Sequence, residues 1–219
     1  KIPQTVDNRS AYSREAHDAQ HLAAPGQGST FEGIGADTRV LRQDNPALLA
    51  DRGVVRVAGA DAEKLLQGII TSDIELLAKQ PAIHAALLTP QGKILFEFFV
   101  ARDGDGFALE TAKDQAAGLA RRLTMYKLRA KVDIHDASAG YSVVSMWGQA
   151  APHSPGRTKG AVVFSDPRLP ELGLRVLAEG GFDGANGDAE NYHAHRISLG
   201  VPEGGKDYIL GDTFPHEAN

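Results

Sequence analysis

The 219-residue sequence contains no cysteine, and this absence excludes several kinds of chemistry from it. Without thiols these residues form neither disulfide bonds nor Cys-ligated zinc or iron–sulfur sites, and they offer no Cys nucleophile. Long apolar runs are missing as well. No stretch of about 18 apolar residues occurs, so the sequence predicts no transmembrane helix. The first residues also lack the apolar segment of a secretory signal.

An excess of positive charge is absent too. Lys and Arg number 23 against 28 Asp and Glu, which gives a formal charge of −5. General nucleic-acid binders usually carry a basic excess, so this balance argues against nucleic acid as a partner. The 42% hydrophobic and 23% charged content, with 24 Gly, is typical of an ordinary globular protein.

Residues 1–46 differ in composition from the rest of the chain. They contain few large apolar side chains, and residues 24–30 have the Pro, Gly and Ser content of a turn or linker. Such a segment buries little surface by itself. The composition favours a polar extension that packs poorly, although a segment draped over a domain remains the alternative.

From about Leu48 onward, hydrophobic patterning predicts regular elements. Strands arrive in hairpins, with helices between pairs of strands, which favours an α+β fold with antiparallel sheets. A Pro, Gly and Ser-rich loop over residues 148–160 divides the chain into predicted lobes of residues 47–147 and 148–219. The predicted strands are 54–57, 82–88, 93–102, 107–111, 130–136, 141–147, 161–164 and 172–177, and the predicted helices are 61–70, 113–126 and 189–199.

Glu97 is the most informative carboxylate because it interrupts the apolar run of residues 94–100. A strand that is apolar on both faces is usually buried on both faces. A carboxyl group there loses hydration, and its pKa rises unless it is paired. Such groups are enriched at functional sites, but a structural ion pair with Arg102 or another Arg, or an edge strand in water, also explains the residue.

Residues 121–131 form a basic stretch with five cations, no acid and one aromatic residue, Tyr126. Cations near the end of a helix interact favourably with its dipole, which is the structural interpretation. The functional alternative is a site for an anion such as a polycarboxylate, a phosphate or an RNA backbone. Tyr126 would then offer a stacking surface to a flat heterocycle.

Histidine and glycine motifs give no metal or phosphate site. His193 and His195 lie two residues apart and point to different faces of the predicted helix, unlike an i, i+4 metal pair. Structural roles are predicted for His84 and His135. The glycine turn at residues 203–206 does not match a phosphate loop.

Seven stretches, in the expected order, together resemble the YgfZ/GcvT folate-binding superfamily. This group comprises YgfZ-type iron–sulfur maturation proteins, their mitochondrial relatives and the aminomethyltransferase of the glycine cleavage system. The resemblance covers residues 48–219. The matching stretches are residues 56–62, 66–74, 88–95, 126–132, 166–173, 196–202 and 214–219.

The resemblance implies a two-lobed folate-binding fold and tetrahydrofolate as cofactor. It also implies iron–sulfur client or assembly proteins as partners. The expected location is the cytoplasm, or the mitochondrial matrix in a eukaryote. The family's C-terminal barrel and its Lys-Gly-Cys motif are expected to fall after Asn219. The residues that the resemblance points to for folate binding are Glu97, Tyr126, Lys127, Arg129, Thr71 and Asp73.

The sequence departs from the transferase branch at two carboxylates. Transferases carry two acidic residues after a Gly-Gly hairpin, whereas this chain has Phe96 and Glu97. They also carry a Glu in the late helix where this chain has Ser198. These losses favour a YgfZ-type iron–sulfur assembly protein. A folate-dependent aminomethyltransferase and a non-enzymatic RNA-contacting module remain as alternatives.

Overall fold

Two antiparallel β-sheets organise the part of the chain that the computed structural model describes, which is residues 46–148, 160–183, 185 and 187–218. The predicted extension of residues 1–46 lies outside these residues apart from Pro46. Most of the predicted loop of residues 148–160 also lies outside them. The α+β class with antiparallel sheets is confirmed.

The first sheet has five strands in the order β3-β4-β5-β2-β6. One face of it carries the larger apolar core, and two helices pack there through Leu66, Leu119 and Leu123. Its strands are β2 (Arg52–Ala58), β3 (Ala82–Leu88), β4 (Ile94–Asp103), β5 (Gly106–Ala112) and β6 (Asp133–Asp136), and the helices are α1 (Ala62–Ile69) and α2 (Lys113–Lys127).

The second sheet has four strands in the order β1-β7-β9-β8. A second core, which includes Phe99, Trp147, Phe164 and Tyr192, lies between the two sheets and the last helix. The elements are β1 (Ala47–Leu48), β7 (Tyr141–Met146), β8 (Ala161–Ser165), β9 (Leu174–Glu179) and α3 (Ala189–Ser198). Because β1 and β7 precede residue 148, the sheets do not follow the predicted division at that loop, and the two-lobe boundary stays a prediction.

Local sequence signals account for most of these elements. The turn after β3 is closed by the bond from Gly92 N to Thr89 O at 2.9 Å, and β3 and β4 pair as the predicted hairpin. Asp188 caps α3 by accepting a hydrogen bond from Glu190 N at 3.0 Å. The stripe Ala116, Leu119, Ala120 and Leu123 is the buried side of α2, as its helical spacing predicts.

The alternation of β4 determines where each side chain points. Phe96 and Phe98 belong to the core under α1 and α2, whereas Phe99 belongs to the core shared with the second sheet. Successive strand residues point to opposite faces, so Glu97 shares the face of Phe99. Glu97 and helix α2 therefore lie on opposite faces of the five-stranded sheet.

Candidate functional site

A cavity of about 420 Å³ opens beside Glu97. Its wall combines β3 and β4 of the first sheet, the loop after α1, the loop after β8 and the C-terminal segment. Apolar groups make up much of the lining, with a few polar side chains converging on the space, as in many small-molecule sites. The lining residues are Thr71, Ser72, His84, Ala85, Ala86, Ile94, Glu97, Arg168, Val201, Pro202, Tyr208, Pro215 and Ala218.

Glu97 is the acidic group of this cavity. The hydroxyl of Tyr208 donates a hydrogen bond to Glu97 Oε2, which links β4 to the C-terminal segment across 111 positions of sequence. Burial raises the pKa of Glu97 above its usual range, although the positive charges of Arg52 and Arg168 oppose the rise. The predicted desolvated carboxylate is therefore present, with a tyrosine as its hydrogen-bond partner.

Arg168 supplies the positive charge of the cavity. Its guanidinium donates to both carboxylate oxygens of Asp166, at 3.0 and 2.8 Å, and to the hydroxyl of Tyr192 at 3.1 Å. It also lies 4.8 Å from the ring centroid of Phe99. Burial works against ionisation of Asp166, but hydrogen bonds and charge from Arg168 hold the pKa of that carboxyl below its usual range. The guanidinium is thus oriented before any ligand arrives.

His84, on β3, and Thr71, in the loop after α1, also line the cavity. His84 is exposed toward the cavity, and its ring lies 5.4 Å from that of Phe99. Desolvation in this wall, followed by the charge of Arg168, lowers the pKa of His84 to about 4. The imidazole is therefore neutral at pH 7. Thr71 fixes the loop after α1 by accepting a hydrogen bond from Ala86 N at 2.8 Å.

Buried ion pairs hold the C-terminal segment against the sheets. Arg52, on β2, contacts Glu110 at 2.6 Å and Glu203 at 2.7 Å, and all three side chains are almost fully buried. Arg196, on α3, contacts Glu203 at 3.2 Å and Asp207 at 2.5 Å. Because these contacts clamp the residues just before Tyr208, they position its hydroxyl at Glu97.

The structure brings together some of the predicted site residues and separates others. Glu97 and Thr71 line the cavity. Asp73 does not, and its carboxylate accepts from Glu75 N at 2.9 Å to cap the short 3₁₀ helix Ile74–Ala78. Tyr126 and Lys127, in the last turn of α2, and Arg129, just after it, also lie outside the lining, because α2 packs on the other face of the sheet. Their role in ligand binding stays a prediction. Any ligand that they bind would contact a surface separate from the Glu97 cavity.

Sequence reasoning missed the partners that make Glu97 a site. Arg168 and Tyr208 reach the cavity from regions more than 70 positions away in sequence, and nothing in local patterning predicts those contacts. His84 was interpreted as structural, yet it lines the cavity. The available signal was indirect: Arg168 falls inside one of the stretches that resemble the superfamily.

The described residues contain no group of three or more His, Asp or Glu side chains placed to hold a metal ion. Within the same residues, no helix is both long and apolar enough to cross a membrane.

Comparison with family models gave no match. Comparison with individual proteins gave clear matches. The chain is 31% identical to "Iron-sulfur cluster assembly factor IBA57 homolog, mitochondrial" of Mycosarcoma maydis, over 88% of this chain and 52% of that protein. It is 30% identical to the protein of the same name from Neurospora crassa, over 78% of this chain and 44% of that protein. The mouse factor is 29% identical over 78% of this chain and 54% of its own length.

The chain thus spans about half the length of the curated relatives it matches. Among solved structures, the aminomethyltransferase T of the glycine cleavage system from Bartonella henselae shares the fold. The TM-score is 0.63 at 18% identity, covering 81% of this chain and 56% of that one. This likeness shows the fold alone. The sequence matches and the shared fold agree with the resemblance to the YgfZ/GcvT superfamily that the seven stretches noted above carry.

Proposed function

We propose that this chain is the folate-binding-type part of an iron–sulfur cluster assembly factor. The observation that carries the proposal is the 31% identity, over 88% of the chain, to a protein named for that role. Because the chain spans about half of such relatives, the proposal concerns the function of the whole protein to which these residues contribute. Its partners would be iron–sulfur client or assembly proteins.

The proposed ligand of the cavity is tetrahydrofolate, and the chemistry of the lining fits it. A volume of about 420 Å³ lies in the range of small-molecule sites. The carboxyl group of Glu97 offers oxygen atoms to the N–H groups along a pterin edge, and neutral His84 offers one donor and one acceptor. Arg168, oriented by Asp166, offers positive charge to an anionic part of the ligand.

Two positions favour assembly over aminomethyl transfer. Phe96, which stands where transferases have an acidic residue, is 8% exposed and faces Gly118 of α2 in the core. A carboxylate could not reach the cavity from there. Ser198 is exposed, and its hydroxyl donates to His195 O at 2.7 Å within α3. Neither position therefore places a polar group at the proposed pterin site.

An aminomethyltransferase is the second candidate, and the shared fold with aminomethyltransferase T favours it. Turnover of a methylamine-type donor with tetrahydrofolate tests this candidate. Product formation that Glu97→Gln abolishes would place the transferase first. An absence of turnover in protein that binds tetrahydrofolate would leave the assembly role in place.

For a eukaryotic source, we place this protein in the mitochondrial matrix, in agreement with the names of the relatives. The test is complementation in fungal cells depleted of their own assembly factor, using the whole product of the gene. The proposal expects recovery of several iron–sulfur enzyme activities, while enzymes without clusters stay unchanged. A protein that accumulates in the matrix without restoring those activities would overturn it.

A matched pair of variants connects the cavity to this function. Arg168→Met removes the cationic group of the cavity, whereas Arg102→Met removes an exposed Arg that pairs with Glu63 on the surface. We expect complementation to fall with the first variant and to persist with the second. Equal complementation by both variants, at equal protein levels, would show that the assembly function does not need the cation of the cavity.

A further inference from the structure

An apolar and basic surface lies at the end of α2, away from the Glu97 cavity. Met125 is 67% exposed and Leu128 is 85% exposed, so neither side chain contributes to the core. We call these two residues, together with the cations near them in sequence, the α2-end surface. Those cations are Arg121, Arg122, Arg129 and Lys131.

The backbone at Leu128 has an unusual conformation. Its φ of 45° is the one positive value at a non-glycine residue within the described part of the chain. With ψ at −105°, it places a leucine where L-residues rarely lie. Such conformations persist only where the surroundings impose them, and they are enriched at functional sites. Burial of the side chain cannot be the compensation here, because it projects into solvent.

Hydrogen bonds on both sides impose this turn. Ala130 N donates to Lys127 O at 2.7 Å, and the ammonium group of Lys127 donates to Val132 O at 2.8 Å. Lys131 N donates to the carboxylate of Asp61 at 2.7 Å, which ties the turn to the start of α1. Leu128 is therefore presented by a rigid support, which lowers the entropic cost of binding a partner.

Within the described residues, the cations near Leu128 in sequence form no ion pair. Across residues 46–148 and 160–218, apart from the few positions not described, no carboxylate forms an ion pair with Arg121, Arg122, Arg129 or Lys131. The next acidic residue along the chain is Asp133, whose carboxylate contacts His135 at 2.9 Å. The α2-end surface is thus locally positive in a chain of net charge −5.

We propose that the α2-end surface docks an acidic segment of a partner protein, with an apolar side chain of that segment against Leu128 and Met125. These cations form no ion pair with a described residue and so match carboxylates, and the exposed side chains of Met125 and Leu128 match an apolar side chain between them. RNA fits less well, because single-stranded nucleic acid is usually bound by stacking of successive bases on several aromatic rings, and Tyr126, which is 39% exposed, is the one aromatic residue of the stretch 121–131. A membrane surface fits less well too, since interfacial binding favours Trp and Phe, which the α2-end surface lacks.

This inference does not depend on the folate site. Helix α2 and Glu97 lie on opposite faces of the five-stranded sheet, so loss of one site leaves the other in place. A failure of docking would therefore be distinguishable from a failure of tetrahydrofolate binding in the cavity.

The test is a selection from a displayed library of random peptides on the intact chain, with removal of peptides that also bind the Leu128→Gly variant. Glycine adopts positive φ without strain, so this variant keeps the turn while it removes the apolar contact. The selected peptide is then titrated by fluorescence anisotropy. Ile197→Ala is the matched control, because Ile197 is an aliphatic residue that is 59% exposed on α3.

The proposal expects enriched peptides that combine several Asp or Glu with an apolar residue. It also expects affinity at least about tenfold lower for Leu128→Gly and for Arg129→Glu, with no change for Ile197→Ala. Enrichment of peptides without acidic residues would overturn the proposal, as would equal affinity for the wild type and Arg129→Glu. Selective binding of a single-stranded RNA or of phosphatidylserine vesicles, with no peptide enriched, would overturn it in favour of those ligands.

Discussion

At the scale of single residues, Glu97 shows how one interruption in an apolar strand becomes a site. Its burial on β4 was predictable from the run of residues 94–100, and so was the direction of its pKa shift. The hydrogen-bond partner of Glu97 was not predictable from the sequence. The predicted alternative was an ion pair with Arg102, but Arg102 contacts Glu63, and Tyr208 is the residue that donates to Glu97.

Replacing Glu97 by Gln keeps an acceptor for Tyr208 and removes the cost of burying a charge. Burial raises the pKa of Glu97 above 4.5, so the unfolded chain releases this proton at lower pH than the folded chain. The free energy of unfolding of the wild type therefore falls as pH rises through that interval. We expect Glu97→Gln to be more stable than the wild type at pH 7, with the difference shrinking toward pH 4.

Urea unfolding at a series of pH values measures this difference. Glu75→Gln is the control, because Glu75 is an exposed carboxylate on the Ile74–Ala78 helix. A difference between the wild type and Glu97→Gln that grows as pH falls would contradict the assignment of a desolvated carboxyl group.

His84 gives a second prediction at this scale. Its pKa is lowered to about 4, first by desolvation and then by Arg168. The folded state thus favours the neutral ring, and its stability falls as pH drops from the ordinary value of 6.5 toward 4. In NMR titrations we expect the His84 resonances to move only near pH 4 in the wild type and at higher pH in Arg168→Met. Identical midpoints would show that Arg168 does not act on His84.

At the scale of elements, the sequence predicted the bounds of single strands and helices better than it predicted which distant segments pair. Strand β3 has the predicted bounds, and α2 ends one residue beyond its prediction, because hydrophobic period and turn residues are local signals. The order of strands within each sheet depends on contacts between distant segments. Nothing near Ala47–Leu48 predicts that these two residues pair with β7, nor that Arg168 meets the face of β4.

The buried ion pairs of Arg52 are an element-scale property, because they join β2, β5 and the segment before Tyr208. Arg52→Met leaves Glu110, which is 0% exposed, and Glu203 without their closest cation. Breaking a buried pair in this way costs about 3–5 kcal/mol. We expect urea denaturation to show that loss. Arg102→Met, which breaks an exposed pair with Glu63, should cost at most about 1 kcal/mol.

Equal effects of these two substitutions on the midpoint of unfolding would contradict the view that the Arg52 network holds the C-terminal segment. A loss confined to Arg52→Met, with an unchanged m-value, would indicate a change in stability without a change in the surface exposed on unfolding.

At the scale of the whole molecule, two surfaces lie on opposite faces of the five-stranded sheet. The predicted site residues Glu97 and Thr71 line the cavity, while Tyr126, Lys127 and Arg129 belong to the end of α2. The sequence predicted one site that combines both groups of residues. Each group stands out from its surroundings in the sequence, but the sequence alone does not show that the groups lie on different faces. Which face of the sheet each group occupies follows from strand alternation and helix packing, which a single sequence indicates only after the sheet order is known.

The most direct test of the proposed folate cavity is calorimetric titration of the intact protein with tetrahydrofolate. Three proteins are compared: the wild type, Arg168→Met, and Arg129→Ala as the variant at the end of α2. The account predicts saturable binding by the wild type and Arg129→Ala, and affinity at least about tenfold weaker for Arg168→Met, since a charged hydrogen bond contributes about 1.5–3 kcal/mol. Absence of saturable binding by the folded wild type at high micromolar ligand would contradict the account, and so would a loss of binding confined to Arg129→Ala.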